Sequence, residues 1–187
     1  GGKLCGTPVV SAGGNGGFTV AWGMLATLPA QAGVNVSPES WDVYVGAFSQ
    51  SGESTGLAAR VNTYTYGDQV FPQIATLGSR HLVVWTSMGQ DGSFEGVFGR
   101  LLNSADGSVA GPEQQINTVT RGPQIYPSVA ADGGNRFVTV WSGFVGAVEG
   151  YDLFAQRHGV EDLLAVPDHP YVSALSQSKL SVTWPEL

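Results

Sequence analysis

The chain has 187 residues, of which 42% are hydrophobic and only 12% charged, with a net charge of −7. Globular chains carry roughly twice that charged fraction. The six Arg and two Lys are scattered singly, so a phosphate backbone would meet no basic patch and nucleic acid is excluded as a partner. No apolar run reaches the ~18 residues of a membrane span. The opening GGKLCG lacks a basic and then apolar leader, which is the expectation for a mature, processed or excised chain.

The 27 Gly, with many Val, Thr and aromatic residues, suit tight turns between short strands. In chain order, Lys3-Leu4-Cys5 reads as a short edge strand. Val9 to Ser11 and Phe18 to Trp22 form a hairpin across a Gly/Asn turn. Met24 to Ser40 has two Pro and no clean period, and Trp41 to Phe48 then alternates like a strand. Gly56 to Asn62 leads into Val61-Asn62-Thr63. The next hairpin runs from Pro72 to Trp85. It is followed by the polar turn Met88 to Phe94, a strand at Gly96 to Leu102, an Asp106-Gly107 turn and a strand at Glu113 to Thr118. A third hairpin, Pro127 to Trp141, precedes strands at Tyr151 to Arg157 and near Glu161 to Val166. Pro170 to Trp184 is a fourth.

These hairpins are one unit repeated. A Pro opens each and a Trp closes it 14, 13, 14 and 14 positions later. Val61-Asn62-Thr63 and Ile116-Asn117-Thr118 lie 55 apart, as do Gly67-Asp68-Gln69 and Gly122-Pro123-Gln124. Four short antiparallel strands at a period of 40 to 60 are the mark of a propeller blade. The predicted fold is all-β: a β-propeller-like array of four-stranded antiparallel blades in a single domain, with repeats near 8–71, 72–126, 127–169 and a half repeat at 170–187. Phe98 and Phe154 each follow their Trp by 13, and Val45 is taken as the match in repeat one, which carries about ten extra residues. A β-sandwich is the alternative, because VSALSQSKLSVTWPEL resembles the first two strands of a fibronectin type III domain. Four first hairpins but three second hairpins leave an open edge. Either Lys3-Leu4-Cys5 closes the ring, or another chain does.

Few residues point to chemistry. Gly52-Glu53-Ser54-Thr55-Gly56 matches a nucleophile elbow in pattern but sits in a hairpin loop, where that motif has no meaning. His81 and His158 read as surface strand residues. His169 stands before Pro170 where Phe71 and Tyr126 precede theirs, and is expected to pack as they do. Asp91, Asp106 and Asp132 lie in Gly-containing turns, the usual place for a turn aspartate. Asp91 and Asp132 are also weak calcium candidates; otherwise no cofactor or metal is expected. Cys5, the sole cysteine, rules out an intrachain disulfide. It reads as a small, partly buried apolar residue, with a crosslink to another chain as the alternative.

The best candidate surface is geometric. In a propeller the strand-2–strand-3 loop and the link between blades share one end. The long excursion Met24 to Ser40 thus falls with Asp68, Gln69 and Gln124, and Trp41 and Tyr44 stand beside it as aromatic surfaces for a sugar ring. Trp41 is the one Trp outside the repeat. The plainer reading of the excursion is a lid over the channel. It also holds the sequon Asn35-Val36-Ser37, weakened by Pro38.

The pattern carried by Pro72 to Ala75, Leu82 to Trp85, Asp91-Gly92, Gly96 to Arg100, Val61 to Thr63 and Gly67 to Gln69 resembles repeats of large bacterial secreted and surface proteins. Such repeats are often found near cadherin-like or calcium-binding modules. The resemblance implies an extracellular, cell-surface or periplasmic bacterial setting. Repeat three departs from it with Pro123 where repeat two has Asp68. The expectation is a non-enzymatic binding or assembly module whose partners are other protein chains of an extracellular complex, or glycan. The alternative is a lectin or glycan-active enzyme using the propeller face.

Overall fold

Cross-strand register, not chain order alone, defines the architecture. A computed structural model describes residues 3–13, 16–27, 39–146, 150–165 and 178–180. They form three antiparallel sheets, each a meander of four strands. The first contains β1 (Cys5–Ala12), β2 (Phe18–Thr27), β3 (Glu39–Phe48) and β4 (Ala59–Arg60). The second contains β5 (Gln69–Leu77), β6 (Arg80–Met88), β7 (Glu95–Asn103) and β8 (Val109–Gln115). The third contains β9 (Gln124–Ala131), β10 (Arg136–Gly146), β11 (Gly150–Gly159) and β12 (Ser178–Leu180), with a short helix α1 (Val160–Leu164) before β12. β5 neighbours both β1 and β9, so the first strand of every blade is innermost. This is the predicted β-propeller-like array of four-stranded blades.

Each repeated Trp among the described residues lies directly opposite an aromatic residue of the next strand. Trp22 pairs with Tyr44, Trp85 with Phe98 and Trp141 with Phe154. The match in repeat one is therefore Tyr44, one position before the expected Val45. The pair is stacked at 6.4 Å between ring centroids in both the first and third blades. In blade 2, Trp85 and Phe98 face blade 1 and bury Ala21, Val43, Val45 and Val61. In blade 3, Trp141 faces blade 2 and joins Val84, Val97, Leu101 and Ile116. A blade thus offers an aromatic face to its predecessor and an aliphatic face to its successor. Burial of these faces drives the stacking of blades, which no single sheet achieves alone.

The other repeated motifs lock each blade internally. Asn62 Oδ1 accepts the Val43 N–H at 2.8 Å, and its Nδ2 donates to the Tyr64 carbonyl and to Asp42. Asn117 repeats this with the Val97 N–H at 2.7 Å, the Val119 carbonyl and Asp91. The Val-Asn-Thr motif is therefore a plug that satisfies one backbone amide of the blade's third strand, a need any buried N–H imposes. Arg100 bridges blades, donating to the carbonyls of Gly111 and Val61.

Three expectations change. The segment near Glu161 begins as α1, because Asp162 accepts the Gly159 N–H and Leu163 is buried against blade 2. Ser178–Leu180, expected inside the fourth hairpin, pairs with β11 as the outer strand of blade 3. Leu4 and Cys5 run along β2 of their own blade, so they do not close a ring. Cys5 is exposed. The remainder of the fourth repeat, including His169 and Trp184, and the sequon at Asn35 lie outside the described residues.

Replacing Asn117 by Ala strands the Val97 N–H in a dry site. Urea unfolding should show a loss of about 2 kcal/mol, with Asn62→Ala costing a similar amount in blade 1.

Candidate functional site

The innermost strands carry a local irregularity that repeats. Each is broken by a Pro, which cannot donate to the ladder and is confined to edges and bulges. The register slips between Gly6 and Val9 in β1 and between Val70 and Gln73 in β5; in blade 3 the slip falls between Val140 and Ser142 of β10, opposite the Tyr126-Pro127 step of β9. The residue before the Pro takes a left-handed conformation each time: Thr7 at φ 49°, Phe71 at 55° and Tyr126 at 55°. For a residue with a Cβ this costs on the order of 1–2 kcal/mol. Such cost persists only where the surrounding structure imposes it, and it gathers at binding sites.

The bulge turns Phe71 and Tyr126 outward. Their rings meet edge to face at 5.0 Å across the blade boundary. They remain 40% and 59% exposed. The Tyr126 N–H is held by Thr86 Oγ1 at 3.2 Å. Below the rings is a cavity of about 200 Å³ lined by Asp68, Val70, Phe71, Thr86, Met88, Glu95, Ile125 and Tyr126. Two carboxylates and two aromatic rings thus share one concavity at the end of the innermost strands.

Of the residues singled out from sequence, only Asp68 lies there. Its Oδ1 accepts the Trp41 N–H at 3.1 Å, so the β2–β3 connection and the link between blades do meet at one end, as the propeller geometry requires. Residues 28–38 of that connection lie outside the described residues. The Trp41 ring covers Gly6 and Gly23 and acts as a wedge on the sheet. Tyr44 stacks on Trp22 on the far face of blade 1. Gln69 and Gln124 are fully buried. Gln124 Oε1 accepts the Trp141 indole N–H at 3.0 Å, and its Nε2 reaches back to its own loop. In blade 2 the Gln69 amide donates to Tyr66 and Gly67. Gln124 thus braces Trp141, and neither glutamine faces a ligand. Phe71, Tyr126 and Glu95 are what sequence reasoning missed. The available signal was an aromatic-Pro pair recurring inside the first strand of successive repeats, where Pro marks an edge strand or a bulge.

The weak metal candidates are occupied locally. Asp132 Oδ1 accepts the Gly134 and Arg136 N–H groups, which hold its carboxyl below the usual range. Asp91 bonds the Ser93 N–H and Asn117, while burial pushes its carboxyl up. Among the described residues no three His, Cys, Asp or Glu side chains gather as a metal site. Likewise, no described helix is long and apolar enough to cross a membrane.

Both described histidines are buried, contrary to the surface placement expected for them. His81 Nδ1 bonds Thr76 at 2.8 Å, and burial lowers its pKa. His158 occupies the position of Leu102 in blade 2. Burial lowers its pKa to about 4, against an opposing pull from Asp162. A depressed histidine is stable while neutral and costs stability as pH falls through 6.5 towards its folded value, because the unfolded chain binds the proton first. Thermal melts should therefore show falling Tm from pH 7 to 4. His158→Leu should remove on the order of 3 kcal/mol of that acid-side loss.

No protein-family model and no curated protein matches the chain. Among solved structures, a thermostable family-43 glycoside hydrolase aligns with 90% of this chain at 9% identity and a TM-score of 0.55. A protein of unknown function from Dyadobacter fermentans DSM 18053 aligns with 86% at 13% identity and a TM-score of 0.60. The GH43 endo-arabinanase from Bacillus licheniformis covers 93% at 13% identity and a TM-score of 0.49. The chain spans 59, 53 and 58% of those three chains. The first two likenesses support the propeller-like fold. They also overturn the expectation of a non-enzymatic module, because the architecture that this chain resembles carries glycoside hydrolases. The glycan alternative is the reading they favour.

Proposed function

We propose that the chain contributes a glycan-active site, built at the Phe71–Tyr126 bulges. The observation that carries this is the convergence of an exposed aromatic pair and two carboxylates, Asp68 and Glu95, on one cavity. Aromatic faces and sugar rings match because the C–H face of a pyranose or furanose ring is apolar while its rim is polar, the same division of labour that makes Tyr and Trp good amphipathic contacts. A pair of carboxyl groups flanking a glycosidic bond supplies the acid and the base or nucleophile of hydrolysis. Asp68, with one oxygen oriented by the Trp41 amide, suits the base or nucleophile. Glu95, at the start of β7, suits the acid. The fold shared with a family-43 glycoside hydrolase supports this reading, as does the sparse surface charge. An extracellular or periplasmic location belongs with it, since cell-wall glycans such as arabinan and xylan lie outside the cytoplasm.

The test uses arabinan, xylan and mixed-linkage glucan oligosaccharides as probes, with calorimetry for binding and reducing-end release for hydrolysis. Tyr126→Ala should weaken binding about tenfold, the loss of one stacked ring. Asp68→Asn keeps the Trp41 bond, so it should leave binding and fold intact while hydrolysis falls on the order of 100-fold or more. Glu95→Gln should do the same. Binding and turnover that ignore all three substitutions would sink the assignment of this cavity.

A further inference from the structure

The exposed aromatic side chains among the described residues, Tyr66, Phe71, Phe94, Tyr126 and Tyr151, all lie at one end of the blades. It is the end that holds the cavity with Asp68 and Glu95. Exposed apolar groups gathered on one surface mark a binding region. Register shows how the blades differ there. Three positions beyond each repeated Trp, the cross-strand pair is Leu25 with Trp41 in blade 1, Met88 with Glu95 in blade 2 and Phe144 with Tyr151 in blade 3. The frame under the last two pairs is the same. The Met88 N–H donates to the Asp68 carbonyl at 3.0 Å, and the Phe144 N–H to the Pro123 carbonyl at 2.9 Å. A Cβ on Gly67 would fall 3.3 Å from the Met88 side chain, and one on Gly122 would fall 3.1 Å from that of Phe144. Blade 3 thus keeps the rim of blade 2 but has Pro123 in place of Asp68 and Tyr151 in place of Glu95.

We propose that Phe144 and Tyr151 form a second sugar subsite, which takes the continuation of a glycan chain held between Asp68 and Glu95. Tyr151 is 48% exposed. The two rings meet edge to face at 5.6 Å between centroids, which leaves at least one face of each uncovered by the other. They join the cavity through Pro123, two residues before Ile125 in its wall. On the blade 1 side the Trp41 ring lies against Gly6 and Gly23 and is committed to the sheet. The chain therefore runs from the cavity over blade 3. A ring face accepts the apolar C–H face of a sugar whatever its linkage, so this subsite supplies affinity for length while the carboxylates supply the chemistry. The ligand is an internal stretch of polymer or a long oligosaccharide, not a terminal disaccharide. The inference rests on the glycan reading of the cavity and adds to it the direction of the chain and the size of the ligand.

Calorimetry with disaccharides and hexasaccharides of arabinan and xylan tests this, in the Asp68→Asn background so that the ligand is not cleaved during the titration. The hexasaccharide of the favoured series should bind about tenfold more tightly than its disaccharide, the contribution of one stacked ring. Tyr151→Ala should remove that gain and leave disaccharide affinity unchanged. Tyr151→Phe should keep it, because the stacking face remains. Leu57→Ala, at a fully exposed position in the loop between β3 and β4, should change neither. Phe144→Leu, which removes a ring but retains an apolar contact over Gly122, is the second variant should Tyr151→Ala lose its native circular-dichroism spectrum. Equal affinity for the two lengths, or an equal loss at both in Tyr151→Ala, would overturn the subsite and leave the cavity reading standing. No binding at either length, or binding indifferent to Tyr126→Ala, would bring down both.

Discussion

The stacking of one blade's Trp–aromatic pair on the aliphatic face of the blade before it is the constraint on which the structure depends. A four-stranded sheet with two apolar faces has no stable solution in water by itself. Here the solution is asymmetric: large flat rings on one side, Val, Ala and Ile on the other. Ring and aliphatic surface then interdigitate without steric conflict. The same asymmetry fixes polarity along the array, so each blade can accept only one kind of neighbour on each side.

Other conserved-looking features of the repeat serve that contact. The glutamine at the start of β9 braces the Trp141 indole from beneath. Gly143 has to be small, since a Cβ there would fall 2.5 Å from Gln124 Oε1 and 2.7 Å from the Phe154 ring. Blade 1 has Cys5 where blades 2 and 3 have Gln69 and Gln124, so no glutamine stands there to brace Trp22. The Asn62 and Asn117 plugs fasten the third strand, which carries the aromatic partner of each Trp. Motifs that look like candidate ligand-binding residues in the sequence are therefore mostly internal carpentry.

The proposed site falls where the innermost strands depart from regular sheet. A Pro in each innermost strand breaks the ladder, and the residue before it is forced into a left-handed conformation. That geometry turns Phe71 and Tyr126 out of the blade and over a cavity holding Asp68 and Glu95. The frame tolerates the strain because two buried blade interfaces hold the strands in place. Rigid sheets carrying an irregular rim of side chains are a common way to position a site.

The all-β class, the repeat and the equivalence of Trp22, Trp85 and Trp141 could be read directly from the chain. Those follow from local alternation, turn chemistry and spacing, which need no knowledge of distant contacts. The sequence also placed Asp68 beside the β2–β3 connection, because meander topology dictates which loops share an end. Only the tertiary structure decided that Gln69 and Gln124 are buried, that His81 and His158 are interior, and that Phe71 and Tyr126 are exposed. Alternation assigns a side chain to one face of a strand, but in a blade both faces are covered, and which of them meets a neighbour depends on blade order. A single bulge shifts the alternation by one residue. The recurring aromatic-Pro step was visible in the chain, yet its consequence for facing appears only once the register of the paired strands is known.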